Sequence, residues 1–192
     1  VLIPARDLAA VTKRPGTATI TLALDSDTGY PPISNPPGTA AFTTTDRQVT
    51  MRLTAAEFPS YAKLIPAAAD LSATVTADLA VITDALKRAA IVVPPKAPVR
   101  LAITPGEMHI DAGTGDDAGY AEVIPVDLDG DPQHIAFNPR YLLDALTAVA
   151  ATGASAARIA ITTPVKPALI TPAEPGGPVA CRHVLMPIRG TG

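Results

Sequence analysis

With 192 residues, 47% of them apolar and 17% charged, the chain can bury a substantial core, which excludes an intrinsically disordered protein. Fifteen Lys and Arg stand against 18 Asp and Glu, a net charge of -3, so overall charge does not hold it to nucleic acid and any DNA contact must be local. Cys181 is the single cysteine, which excludes an internal disulfide, and no run approaches the roughly 18 apolar residues of a spanning helix. The opening Val1-Leu2-Ile3-Pro4-Ala5-Arg6 lacks the charged and long apolar regions of a signal peptide, so the expected setting is cytoplasmic, without a membrane. Twenty-one prolines, no tryptophan and 4% aromatics point to short strands joined by loops and not to a helical bundle.

In chain order, a strand at Val1 to Pro4 leads into a helix from Ala5 to Val11, which the breaker cluster Arg14-Pro15-Gly16 ends. Strand candidates rich in Thr and Val follow at Thr17 to Leu24, Ala40 to Thr44 and Gln48 to Leu53, with a proline-rich loop over Asp25 to Gly38. A second strand, Thr74-Val75-Thr76, leads into a helix on which Leu79, Ile82, Leu86 and Ala89 form one apolar stripe, leaving Asp84, Lys87 and Arg88 outside it. Strands at Val99 to Thr104, Glu107 to Asp111 and Tyr120 to Val126 come next. A third strand, His134 to Phe137, enters a helix with Asn138 as N-cap and Pro139 at the first helical position, where its missing N–H costs nothing. Leu142, Leu143, Leu146, Val149 and Ala150 make its apolar stripe. The last strands are Arg158 to Thr162, Ala168 to Thr171 and Ala180 to Met186, interrupted by the loop Pro172 to Pro178.

The chain therefore repeats one unit, strand, helix, three strands, three times. Aligning Leu8, Leu79 and Leu142 gives offsets of 71 and 63 residues, too long for a solenoid and suited to half of a small domain. Consecutive strands joined by tight turns pair antiparallel, so each unit should form a small antiparallel sheet with its helix on one face, and the class is α+β.

Catalytic chemistry finds little support. Asp127-Leu128-Asp129-Gly130-Asp131 resembles the start of a calcium loop, but the twelfth position is Asn138, not a bidentate Glu, and Asp-Gly is a common turn. Gly113 to Asp117 lacks the lysine and helix of a phosphate loop and reads as a hairpin. His109, His134 and His183 fall on different strands, and no Ser, Cys or Lys has a base nearby in sequence. No catalytic residue, metal or cofactor is expected.

Four segments in order resemble the bacterial sliding clamp, the beta subunit of DNA polymerase III: Glu57 to Pro66, Leu86 to Ile91, Phe137 to Leu146 and His183 to Arg189, reinforced by Val165 to Ile170. The resemblance implies the DNA-clamp fold, in which three similar two-unit domains close head to tail around duplex DNA. On that footing residues 1–55 correspond to the second half of the middle domain, 56–67 to the interdomain segment and 68–192 to the C-terminal domain. The expected function is a non-catalytic processivity factor. The alternative is a shortened clamp-like module of a regulatory or accessory protein that binds a partner without encircling DNA.

The family's cleft between middle and C-terminal domains captures short apolar peptides of polymerase subunits, clamp loader and repair proteins. Carried over, its lining is Pro59, Leu64, Asn138, Tyr141, Val165, Pro167, Val184, Met186, Pro187, Ile188 and Arg189. From the residues alone, Val184, Met186 and Ile188 better suit alternate strand positions packing a core. Contact with duplex DNA, without sequence specificity, is implied for Arg6, Lys13, Arg14, Lys87, Arg88 and Arg140 on or beside the helices. Ile91 and Val92, just after the second helix, and Glu122 correspond to a subunit interface whose opposing surface lies on the family's first domain, so ring closure by self-association is not expected of this chain.

Overall fold

The computed structural model describes residues 2–12, 19–23, 39–43, 47–54, 60–94, 97–113, 119–174 and 181–189. They fall into two units, Val1–Ser60 and Tyr61–Gly192.

In the first unit, helix α1 (Ala5–Thr12) precedes an antiparallel sheet of β1 (Thr19–Ala23), β2 (Thr39–Thr43) and β3 (Gln48–Arg52) in that order. Leu2 bridges to Thr54, whose N–H donates to the Leu2 carbonyl at 2.8 Å, so the predicted opening strand is reduced to one bridge. Alternation places Ala40 and Phe42 of β2 in a small core with Leu53, and Ile3, Leu8 and Val11 pack on it.

The second unit holds β4 (Ala73–Asp78), α2 (Leu79–Val92), β5 (Val99–Thr104), β6 (Gly106–Gly113), β7 (Gly119–Gly130), β8 (Gln133–Phe137), α3 (Pro139–Ala150), β9 (Ala156–Ile161), β10 (Ala168–Pro172) and β11 (His183–Leu185). This is the strand, helix, three-strand order twice over. Both helices begin on a capped residue, since the Asp78 carboxylate accepts from the Val81 N–H and the Asn138 side chain from the Arg140 N–H, each at 3.0 Å. Leu79, Ile82, Leu86 and Ala89 are buried as the periodicity requires, together with Ala85. On α3 the buried stripe is Pro139, Leu142, Ala145, Leu146 and Val149. Leu143 is only half-buried and Ala150 is exposed, because Ala145 sits on the axis of that stripe and Ala150 lies past its edge.

The two units of the repeat do not keep separate sheets. One antiparallel sheet runs in the order β11-β10-β9-β4-β7-β6-β5-β8, so the strand leading each helix pairs within the other repeat: β4 with β9, and β8 with β5. The join is β7, which continues four residues beyond Val126: Ala112 to Gly106 pair with Tyr120 to Val126, while Asp127 to Gly130 pair with Thr76 to Ala73. The Asp127 to Asp131 run is therefore a strand end followed by a turn, with Gly130 at φ 107°. Among the described residues no three His, Cys, Asp or Glu side chains gather into a metal site, and no helix is long and apolar enough to cross a membrane. The inward rows of every strand meet α2 and α3 in one core that includes Val75, Ile110, Ile124, Phe137, Ile159 and Ile170.

Candidate functional site

The strand directions bring three segments to one end of the second unit's sheet, and the tail links them to a fourth, the start of α3. β9 ends at Ile161 and β10 starts at Ala168, so the loop between them carries Val165 and Pro167 there. Ala168 lies opposite Leu185, so Met186 leaves β11 in register with Pro167. The tail then crosses to the far edge of the sheet, where the Ile188 N–H donates to the Ala136 carbonyl at 2.8 Å, two residues before the Asn138 cap of α3. Finally, Ala73 lies opposite Ile161, and the Ser72 N–H and hydroxyl both donate to the Ile161 carbonyl at 2.9 and 3.1 Å, so the 61–72 arm arrives at the same end.

Alternation decides between the two readings of the last strand. Leu185 and Pro187 face inward and are buried, whereas Met186 is 58% exposed and Val184 and Ile188 are only partly covered. Core packing is thus overturned for Met186, and Pro187, expected in the lining, is buried. Tyr141 stands exposed on the first turn of α3, Val165 is exposed in its loop, Leu64 lies exposed on the one-turn 3-10 helix Tyr61–Leu64, and Arg189 is exposed at the tail's end. Asn138 is half-buried because its side chain serves the cap. Of the eight large apolar side chains exposed among the described residues, Val165 and Met186 lie at this end, Tyr141 follows the cap that the tail reaches, and Tyr61 and Leu64 lie in the arm. Exposed apolar groups are ordinary singly, but such gathering marks a contact surface. Tyr61 was not in the predicted lining; its signal was an aromatic residue three positions before Leu64 in a chain with 4% aromatics. Pro59 lies outside the described residues.

The predicted DNA-facing cations behave unequally. Lys13 and Arg14 lie outside the described residues, and Arg6 is exposed on α1 in the first unit. On α2, Lys87 pairs with Asp84 at 3.2 Å. Arg88 is held by β7: its Nη2 and Nε donate to Glu122 at 2.7 and 3.0 Å, Nε also reaches the Tyr120 hydroxyl at 3.4 Å, and that hydroxyl donates to Glu122. The bond to Glu122 raises the Arg88 pKa above its ordinary value, partly opposed by desolvation. Arg140 alone of the three on α2 and α3 makes no ion pair among the described residues.

Glu122 thus works within the chain. Near it on the sheet Val123 is exposed, and Ile91, 82% exposed, and the half-buried Val92 are the last two residues of α2, which runs two residues further than the sequence suggested. A shallow pocket on the outer sheet face, lined by Thr76, Asp127, Arg158 and Leu169 among others, shares no residue with these groups.

An antiparallel sheet wrapped over two capped helices, built from a doubled strand, helix, three-strand unit, defines the DNA-clamp class of α+β proteins. The chain belongs to the DNA polymerase III beta subunit family, whose C-terminal domain matches residues 62–189. It is 34% identical over 158 residues to the beta sliding clamp of Streptomyces coelicolor, covering 81% of this chain and 41% of that protein. It is 31% identical over 192 residues to the beta sliding clamp homolog GriR of Streptomyces muensis, covering 98% of this chain and 48% of that one. The Caulobacter crescentus pol III beta structure superposes with a TM-score of 0.70 at 30% identity, covering 80% of this chain and 40% of that one. The chain therefore spans under half the length of these relatives.

Proposed function

We propose that this chain works as part of a sliding-clamp-type processivity factor: a non-enzymatic protein that takes short apolar peptides of DNA polymerase subunits, clamp loader and repair proteins and encircles duplex DNA in its complete assembly. The observation that supports this reading is the exposure of Leu64, Tyr141, Val165 and Met186, with Val165 and Met186 at one end of the sheet and the tail bonded beside the start of α3. Exposed apolar side chains with a phenol hydroxyl and an amide beside them suit an extended peptide that needs anchors and a few polar pins. Residues 1–55 then act as the second half of a middle domain and 68–192 as a C-terminal domain, in the cytoplasm.

A second reading, a shortened clamp-like module that binds a partner without encircling DNA, is favoured by the charge on the helices. Lys87 and Arg88 each already face a carboxylate, which leaves little free positive charge for phosphates.

Titrating a fluorescent peptide with a glutamine-leucine-phenylalanine core against the full chain and Met186→Ala tests the peptide reading. About tenfold weaker binding is expected on truncation, roughly 1.4 kcal/mol. Equal affinity for both proteins, or none for either, refutes it.

A further inference from the structure

Four apolar side chains of these segments have a cation as their neighbour in sequence, Lys63 beside Leu64, Arg140 beside Tyr141, Lys166 beside Val165, and Arg189 after Ile188, while Tyr61 and Met186 have none. All four cations are exposed and none forms an ion pair among the described residues. They come from four different segments, the arm, the start of α3, the β9–β10 loop and the tail. Elsewhere in the unit Lys87 is matched by Asp84 and Arg88 by Glu122, while Arg100, Arg158 and Arg182 make no ion pair among the described residues. The described acids nearest in sequence are Asp144, one turn along α3 from Arg140, and Asp70 in the arm, and neither comes within 4 Å of a basic group. In a chain of net charge -3, four unmatched cations around one apolar patch form a local positive field.

We infer that the occupant of this patch is an apolar peptide flanked by acidic residues, and that Lys63, Arg140, Lys166 and Arg189 select it over neutral or basic peptides with the same apolar core. This rests on the peptide-binding reading above and adds to it the charge of the partner. The apolar core anchors the peptide, while the four cations speed its approach and reject cationic flanks by like-charge repulsion. Because the cations are exposed, the selection is screened by salt.

The test measures binding of three synthetic peptides to the full chain by fluorescence anisotropy at low and at physiological ionic strength. The peptides share one Leu-Phe core and carry Asp-Glu, Ser or Lys flanks. At low salt the acidic peptide should bind about tenfold tighter than the Ser peptide, as two exposed charge contacts of ordinary strength would give, and the Lys peptide weaker still. The gap should narrow at physiological salt, and the double variant Arg140→Glu, Lys166→Glu should reverse the order, with Arg140→Gln, Lys166→Gln merely flattening it. Equal binding of all three peptides, with the loss on Met186→Ala intact, overturns the charge selection and leaves the peptide site standing. No binding of any peptide overturns both.

Discussion

Gly130→Ala probes the joint on which the candidate site hangs. At φ 107° a Cβ there would stand 2.2 Å from the Ser72 carbonyl oxygen and 2.9 Å from the Ala73 Cα, both backbone atoms that no rotamer change can move. The left-handed backbone alone costs about 1–2 kcal/mol for alanine. Relieving the clash requires Ser72 to shift by roughly 1 Å, the shortfall from an ordinary contact. That shift strains the bonds from the Asp131 N–H to the Ser72 carbonyl, 3.1 Å, and from the Ser72 N–H to Ile161, 2.9 Å. Losing both adds about 2 kcal/mol. The total of about 3–4 kcal/mol corresponds to a Tm lower by roughly 10 °C for a unit of this size. Gly106→Ala is the internal control, since Gly106 has φ 89° and nothing within 4 Å of its Cβ, so it should lose only the conformational part. Thermal and urea unfolding of the full chain, reading the transition of the second unit, measures both. If the two variants lose stability equally, within about 0.5 kcal/mol, the joint yields without cost and the reasoning fails.

Two further outcomes are expected. Asn138→Ala should cost about 1 kcal/mol by removing the α3 cap, with Asn138→Asp close to the native protein; equal melting of the Ala and Asp variants would contradict the capping role. Glu122→Gln should release the Arg88 guanidinium toward phosphates and steepen the salt dependence of duplex DNA binding by about 0.9 in the log-log slope; an unchanged slope would show that Arg88 does not face DNA. The Arg88 pKa is raised, so its share of stability is present below the ordinary arginine value and is lost only as pH rises through the raised one, above working buffers.

Much of this was legible in one dimension. The period of Leu79, Ile82, Leu86 and Ala89, the Asn138-Pro139 helix start and the alternation of β5 and β6 are local, because they depend on backbone geometry repeating every 3.6 or 2 residues. The segments carrying Leu64, Tyr141, Val165 and Met186 were found through family resemblance, since an exposed apolar residue has the same letter as a buried one. Periodicity by itself favoured burying Met186, and one residue of register separates that from the observed exposure.

Sequence alone determined the repeated strand, helix, three-strand unit, the helix caps and the apolar stripes, because each is set by neighbours within one or two turns. Tertiary structure decided what those units do together: the exchange of β4 and β8 between repeats, the extension of β7 to Gly130, the crossing of the tail to Ala136 and the capture of Arg88 by Glu122. These pairings join residues 30 to 89 positions apart, from Ile103 opposite Gln133 to Ser72 bonded to Ile161. Their physical cause is that an edge strand satisfies its hydrogen bonds with whatever backbone packing brings beside it, which no local pattern encodes.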